Sequence, residues 1–108
     1  MIEVEKIGGI GEFVHETEKK SETEEREIYR VKNQGVEGEG KVFLVVNKHT
    51  IEVRTDEKLR ELLTGKYESV MKSRYFGRGG IEIVRDGKQL SEEEIEDLVR
   101  LSYNLSAE

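Results

Sequence analysis

The stretch KVFLVVNKHTIEVR constrains the fold of this chain more than any other. Val42 to Val46 is a run of apolar residues that is too short for a helix and typical of a strand buried on both faces. After the turn NKHT, Ile51 and Val53 alternate with Glu52 and Arg54, as in a strand with one buried and one exposed face. The stretch therefore predicts a central β-hairpin with Glu52 and Arg54 facing outward.

Four other segments have the alternation or the composition of short strands. They are MIEVEKI (1–7), the residues around Phe13 and Val14, REIYRVKN (26–33) and Ile81 to Arg85. The charged run TEKKSETEE predicts an exposed loop, and its Ser21 and Glu24 leave a helical turn open as an alternative.

Two segments have helical spacing. The first carries three leucines after a cap at Thr55 or Asp56, and Gly65 is expected to end it. The second, about 92–104, begins at a capping box of Ser91 and Glu94. Its apolar stripe is Ile95, Leu98, Val99, Ser102 and Leu105. The order of elements predicts an α+β fold, an antiparallel sheet of five or six strands with two helices on one face.

Length and composition limit the class of protein. A chain of 108 residues is expected to form one domain. With no Cys, disulfides, thiolate catalysis and Cys-based metal sites are excluded. No apolar run approaches the roughly 18 residues of a membrane span, and no signal-peptide pattern opens the chain, so we expect a cytoplasmic protein without membrane contact. The abundance of Glu, Lys and Arg is typical of heat-adapted proteins.

Charge is distributed unevenly over a net of −6. Both ends are acidic, and the middle, 30–90, is basic. Within it, KSRYFGRGG (72–80) combines cations, aromatic residues and glycines, the features of a loop that binds nucleic acid. The candidate nucleic-acid-binding residues are Lys72, Arg74, Tyr75, Arg78, Arg85 and Lys88. Phe76 is expected to turn into the core, and the plainer interpretation is a flexible lead-in to a strand.

No catalytic or metal-binding pattern accompanies this loop. His15 and His49 are the only histidines, and no nucleophile signature lies near either one. The glycines lack the ending of a phosphate-binding loop, and the acidic start of the last helix is explained by the helix dipole. We therefore expect no enzymatic activity, no cofactor and no metal.

Much of the chain resembles the MmcQ/YjbR family of small proteins with a CyaY-like, double-wing fold. Lys41-Val42-Phe43 matches the family's Lys-hydrophobic-Phe strand, and Ser102-Tyr103 matches the Ser-Tyr of its final helix. The N-terminal strands and the lack of Trp depart from the family pattern. The resemblance implies a single domain over 1–108 and no established reaction. The function expected is a small non-enzymatic module that binds nucleic acid through the basic loop; the alternative is a module for a protein partner or a homodimer.

Overall fold

The structure is a computed structural model that describes residues 3–32, 40–85 and 89–108. These residues form six β-strands, two α-helices and a 3-10 turn at Val4–Lys6. The strands are β1 (Phe13–Lys19), β2 (Glu25–Val31), β3 (Val42–Val46), β4 (Thr50–Arg54), β5 (Val70–Ser73) and β6 (Gly77–Val84), and the helices are α1 (Glu57–Lys66) and α2 (Glu92–Ala107).

All six strands belong to one antiparallel sheet, in the order β1-β2-β3-β4-β6-β5. The helix α1 packs over β5 and β6, and α2 packs over β2, β3 and β4. Both helices contribute to the same apolar core, so they cover one face of the sheet. The predicted α+β class is therefore confirmed. No helix in the described ranges is long and apolar enough to cross a membrane.

A bulge in β3 determines which of its apolar residues lie on each face of the sheet. The register between β2 and β3 shifts so that Phe43 has no partner on β2. Phe43 and its neighbour Leu44 both enter the core under the helices, whereas Val42 and Val45 enter a smaller cluster on the other face. An extra residue in one strand has this effect because it interrupts the alternation of side chains.

The core under the helices is anchored by aromatic packing. From α2, Val99 is fully buried, and Tyr103 meets the ring of Phe43 at 4.9 Å between centroids and an angle of 77°. This edge-to-face arrangement is favourable because the positive ring edge meets the negative face. Leu63 of α1 extends the same core towards β5 and β6.

The end of α2 is tied to the sheet through Ser102, which is fully buried. Its hydroxyl donates to the carbonyl oxygen of Phe43 at 2.6 Å and accepts from the backbone N–H of Arg54 at 2.7 Å. The predicted capping box of Ser91 and Glu94 is present at the other end. The hydroxyl of this serine in the apolar stripe thus satisfies one backbone acceptor and one backbone donor that α2 covers.

Three local predictions are corrected. Val4–Lys6 is a 3-10 turn rather than a strand, a conformation that brings residues three apart to one side, and it buries Val4 and Ile7 together. The helix α1 continues through Gly65, whose φ is not positive, so no left-handed cap ends it there. The predicted loop TEKKSETEE is shorter than expected, because β1 extends to Lys19 and β2 begins at Glu25, which leaves 20–24 as the turn.

Truncating Leu98 tests the packing of α2. This side chain is half-buried against the core, so Leu98→Ala is expected to lower the free energy of unfolding by about 2 kcal/mol, the lower end for buried leucines. Leu101 on the same helix is exposed, and Leu101→Ala is the matched control, expected within about 0.5 kcal/mol of the parent. Urea unfolding measures both. A loss below about half a kcal/mol in Leu98→Ala would contradict this packing.

Candidate interaction site

The loop predicted to bind nucleic acid folds onto the face of the sheet that neither α1 nor α2 covers, called here the helix-free face. Ser73 to Phe76, called here the cap segment, connects β5 to β6. Tyr75 and Phe76 pack against Ile28, Val42 and Val45 in the second apolar cluster. Phe76 therefore faces the protein, as predicted, but it is half-buried on the helix-free face rather than in the main core.

Two glycines allow the chain to make this turn. Gly77 has a φ of +61°, a conformation that costs little without a Cβ. Gly80 lies so close to Val53 and Phe76 that a Cβ there would come within 2.4 Å of the Val53 carbonyl oxygen. The glycines of FGRGG thus serve the turn and the close approach of the cap segment.

A carboxylate from β4 holds the backbone of the cap segment. Glu52 was predicted to face outward into water, but it is 2% exposed because the cap segment covers it. Its Oε1 accepts from the hydroxyl of Ser73 and from the N–H of Tyr75, both at 2.8 Å, and its Oε2 accepts from Asn47 at 2.9 Å. Alternation correctly predicts the face on which Glu52 lies, but not the segment that covers that face.

A second buried carboxylate holds the cation at the start of the cap segment. Glu82 of β6 lies directly opposite Glu52 and is 1% exposed. Arg74 donates to both of its oxygens, Nε to Oε1 at 3.1 Å and Nη2 to Oε2 at 2.7 Å, and Thr50 donates to Oε2 at 2.6 Å. Such a bidentate pair fixes the relative orientation of the two side chains and is stronger than a hydrogen bond between neutral groups.

The ionisation of both partners follows from this contact. Burial alone raises the pKa of Glu82, but the hydrogen bonds from Arg74 and Thr50 and the charge of Arg74 outweigh it, so the pKa lies below the usual 4.5. The hydrogen bond to Glu82 likewise raises the pKa of Arg74. The side chain of Arg74 is 66% exposed, yet its charge is matched by a carboxylate and is not available in full to a phosphate.

Tyr75 is also engaged within the protein. The guanidinium of Arg26 lies over its ring at 5.1 Å from the centroid, and the ring of Phe76 meets it edge-on at 5.0 Å. A base that stacked on the face covered by Arg26 would have to displace that side chain.

The remaining candidates do not form one patch. Lys72 and Arg78 are exposed near the cap segment. Arg85 follows the other end of β6, an eight-residue strand that is roughly 26 Å long, and there it is half-buried and donates to the carbonyl oxygen of Asn47 at 3.4 Å. Lys88 lies outside the described residues. The structure thus places Arg74 and Tyr75 together on the helix-free face. Lys72 pairs with Ile81 of the main core, so its side chain lies on the other face, and Arg85 lies at the far end of β6.

The two histidines lie apart. His15 on β1 stacks on Tyr29 with the ring centroids 4.4 Å apart and pairs with Glu27 at 2.5 Å, whereas His49 is exposed in the β3–β4 turn. A hydrogen bond from Thr17 lowers the pKa of Glu27, and the contact with His15 lowers it further. Among the described residues, no three His, Cys, Asp or Glu side chains group as metal ligands.

The other prominent surface is the outer edge of β1, which sequence reasoning missed. At one end of the β1–β2 ladder, Glu12 O accepts from Lys32 N, and at the other, Lys20 N donates to Glu24 O. Antiparallel pairs alternate between bonded and non-bonded, so the even-numbered residues of β1 bond to β2. The odd-numbered residues direct their backbone N–H and C=O groups outward from the sheet. These are Phe13, His15, Thr17 and Lys19.

The opposite edge of the sheet differs. The strand β5 has only four residues, α1 packs against it, and the N–H of Val70 donates to the carbonyl oxygen of Tyr67. By contrast, β1 has seven residues that pair with β2 in one continuous register, and most of its side chains are exposed. The described part of the chain therefore presents one long, regular edge.

Comparison with protein-family models, with curated proteins and with solved structures finds no match in any of the three. The resemblance to the MmcQ/YjbR family therefore stays a prediction that rests on the residues quoted for it.

Removing Arg74 tests whether this cation is structural. Arg74→Ala would leave Glu82 buried without its charge partner, and we expect a loss of about 1–3 kcal/mol in the free energy of unfolding. The loss should be smaller than for a fully buried pair because Arg74 is open to water. Lys72→Ala, two positions away and exposed, is the control and should change stability by less than about 0.5 kcal/mol. Equal effects of the two substitutions would refute a structural role for Arg74.

Acid titration tests the ionisation of Glu82. Because its pKa is lower in the folded state, the unfolded chain takes up the proton first as the pH falls below 4.5, and the stability that the ionised group supplies is then lost. We expect the stability advantage of the parent over Glu82→Gln to shrink from pH 6 to pH 3, with a slope of at most about 1.4 kcal/mol per pH unit. Glu68→Gln, at an exposed position, should show no such trend. A constant difference between parent and Glu82→Gln would speak against the ion pair.

Proposed function

We propose that this chain is a non-enzymatic interaction module that binds an extended segment of a partner protein along the outer edge of β1. The observation that carries the proposal is the seven-residue edge, at which Phe13, His15, Thr17 and Lys19 direct their backbone groups away from the sheet. An exposed strand edge is a template for the addition of another strand, in which backbone hydrogen bonds supply much of the affinity.

The local structure of β1 favours this use. Natural proteins commonly protect an edge by shortening it, by inserting a bulge or Pro, or by covering it. The strand β1 has no Pro, pairs with β2 without a register shift and lies beyond the strands over which the helices pack. Within the described residues, charged side chains are the protection that remains, and these select among partners rather than exclude all of them.

Nucleic-acid binding is the second candidate, and the exposure of Lys72 and Arg78 favours it. The engagement of Arg74 by Glu82 and of Tyr75 by Arg26 weakens it. Two remaining phosphate contacts would give a salt dependence with a slope of only about −1.4 on single strands. The module type implied by the MmcQ/YjbR resemblance agrees with either candidate.

A proline at Thr17 tests the edge. The N–H of Thr17 points away from β2, and an outward-facing edge position is one that tolerates Pro in a strand. We expect peptides selected from a random display library against the full chain to lose binding to Thr17→Pro and to keep it for Thr17→Ala. Both substitutions remove the hydrogen bond from Thr17 to Glu27. A difference in peptide binding between the two variants therefore measures the contribution of the outward N–H at position 17.

Two outcomes would overturn this proposal. One is a set of selected peptides that bind Thr17→Pro as well as the parent. The other is a chain that selects no peptide but binds single-stranded nucleic acid and loses that binding in Lys72→Ala/Arg78→Ala, which would favour the second candidate.

A further inference from the structure

We infer that the segment added to β1 is basic, with Lys or Arg at alternate positions on the side that faces the helix-free face of the sheet. This inference rests on the proposed function and names the chemistry of the partner. Its starting point is the row of side chains that β1 presents on the helix-free face, called here the acidic row. Its members are Val14, Glu16 and Glu18 of β1 and Glu12, the residue just before the strand.

The acidic row keeps capacity for a further cation. Glu16 pairs with Arg30, and Glu18 pairs with Arg26. In both pairs the arginine is the less exposed partner, and within the described residues the hydrogen bonds to these carboxylates go to Oε1. The second oxygen of each carboxylate is thus left to accept from a side chain on an added strand.

The inner position of the arginines has a structural cause. The guanidinium of Arg26 lies over the ring of Tyr75, which the cap segment carries across the helix-free face. Arg30 donates instead to the carbonyl oxygen of Gly40, next to β3, at 3.4 Å. Both cations of β2 are therefore directed towards the middle of the sheet, and the carboxylates of β1 form its outer boundary. An opposite charge directly across from such a carboxylate stabilises strand pairing, and a like charge weakens it.

A second copy of this chain fits the same edge less well than a basic segment. When two copies of β1 pair in antiparallel orientation, the odd-numbered residues, whose backbone groups point outward, must lie opposite each other. The even-numbered residues of the two copies then also lie opposite each other. The registers centred on residues 14, 15 and 17 set two members of the set Glu12, Glu16 and Glu18 opposite each other, whereas those centred on 16 and 18 set one carboxylate opposite its own copy and Lys20 opposite another. Like charges disfavour the first three registers, whereas a basic segment meets opposite charges in every register, which argues for a basic partner over the homodimer.

The other face of β1 completes the pattern expected of the partner. Phe13, His15 and Thr17 present an aromatic ring, an imidazole and a hydroxyl there, and Lys19 at the end of the strand presents a cation. Because side chains alternate along a strand, the partner should carry apolar or uncharged residues between its cations. A segment in which Lys or Arg alternates with Val or Thr meets both requirements.

Synthetic peptides with the full-length chain test this. The probes are a labelled peptide in which Lys alternates with Val and Thr and its counterpart with Glu in place of Lys, measured by fluorescence polarisation at low salt. We expect the Lys peptide to bind about tenfold more tightly, as two or three favourable cross-strand pairs predict. The preference should fall to about threefold or less in Glu16→Gln/Glu18→Gln. It should persist in Glu61→Gln/Glu68→Gln, which changes the net charge equally at exposed positions outside β1.

The Thr17→Pro variant separates this inference from the proposal on which it rests. If both peptides bind equally well and both lose binding in Thr17→Pro, the edge accepts a strand and the inference about charge is overturned. If the chain forms a dimer by sedimentation that Thr17→Pro dissociates, the partner is a second copy and the inference is again overturned. If the peptides bind Thr17→Pro unchanged, the proposed function itself fails.

Discussion

Two carboxylates on neighbouring strands, Glu52 and Glu82, are buried on the face of the sheet that no helix covers, and the arrangement of that face depends on satisfying them. An ionised carboxylate removed from water without partners is strongly unfavourable. The cap segment supplies those partners, the hydroxyl of Ser73, the N–H of Tyr75 and the guanidinium of Arg74. The same contacts that satisfy the two carboxyl groups therefore fix the connection between β5 and β6.

This arrangement determines which surfaces are left for a partner. Because the cap segment covers the second apolar cluster, the sheet is closed on both faces over its central strands. The cap segment also commits Arg74 and Tyr75 to contacts within the protein, which leaves fewer groups for nucleic acid. The outer edge of β1 lies beyond the helices and keeps its backbone groups outward. The polar network therefore engages the groups at one side of the sheet, whereas the edge of β1 at the other side keeps its backbone groups available to a partner.

The elements predicted correctly are those with strong local signals. The hairpin of β3 and β4 follows from a short apolar run and an alternating strand, and the start of α2 follows from its capping box. The elements predicted wrongly have weak or ambiguous signals. Val4–Lys6 alternates as a strand would, but burying Val4 and Ile7 together requires a turn. The charged residues of β1 suggested a loop because an edge strand has little apolar content to reveal it.

The amino-acid sequence alone predicts the α+β class, the central hairpin and the capped last helix, because these depend on residues that are neighbours along the chain. It also identified the segment 72–80 as unusual. Only the tertiary structure decided that Arg74 pairs with Glu82, eight residues away, and that Glu52 is buried rather than exposed. Alternation fixes the face of a strand on which a side chain lies, but whether that face meets water, a helix or a folded loop depends on how distant segments pack.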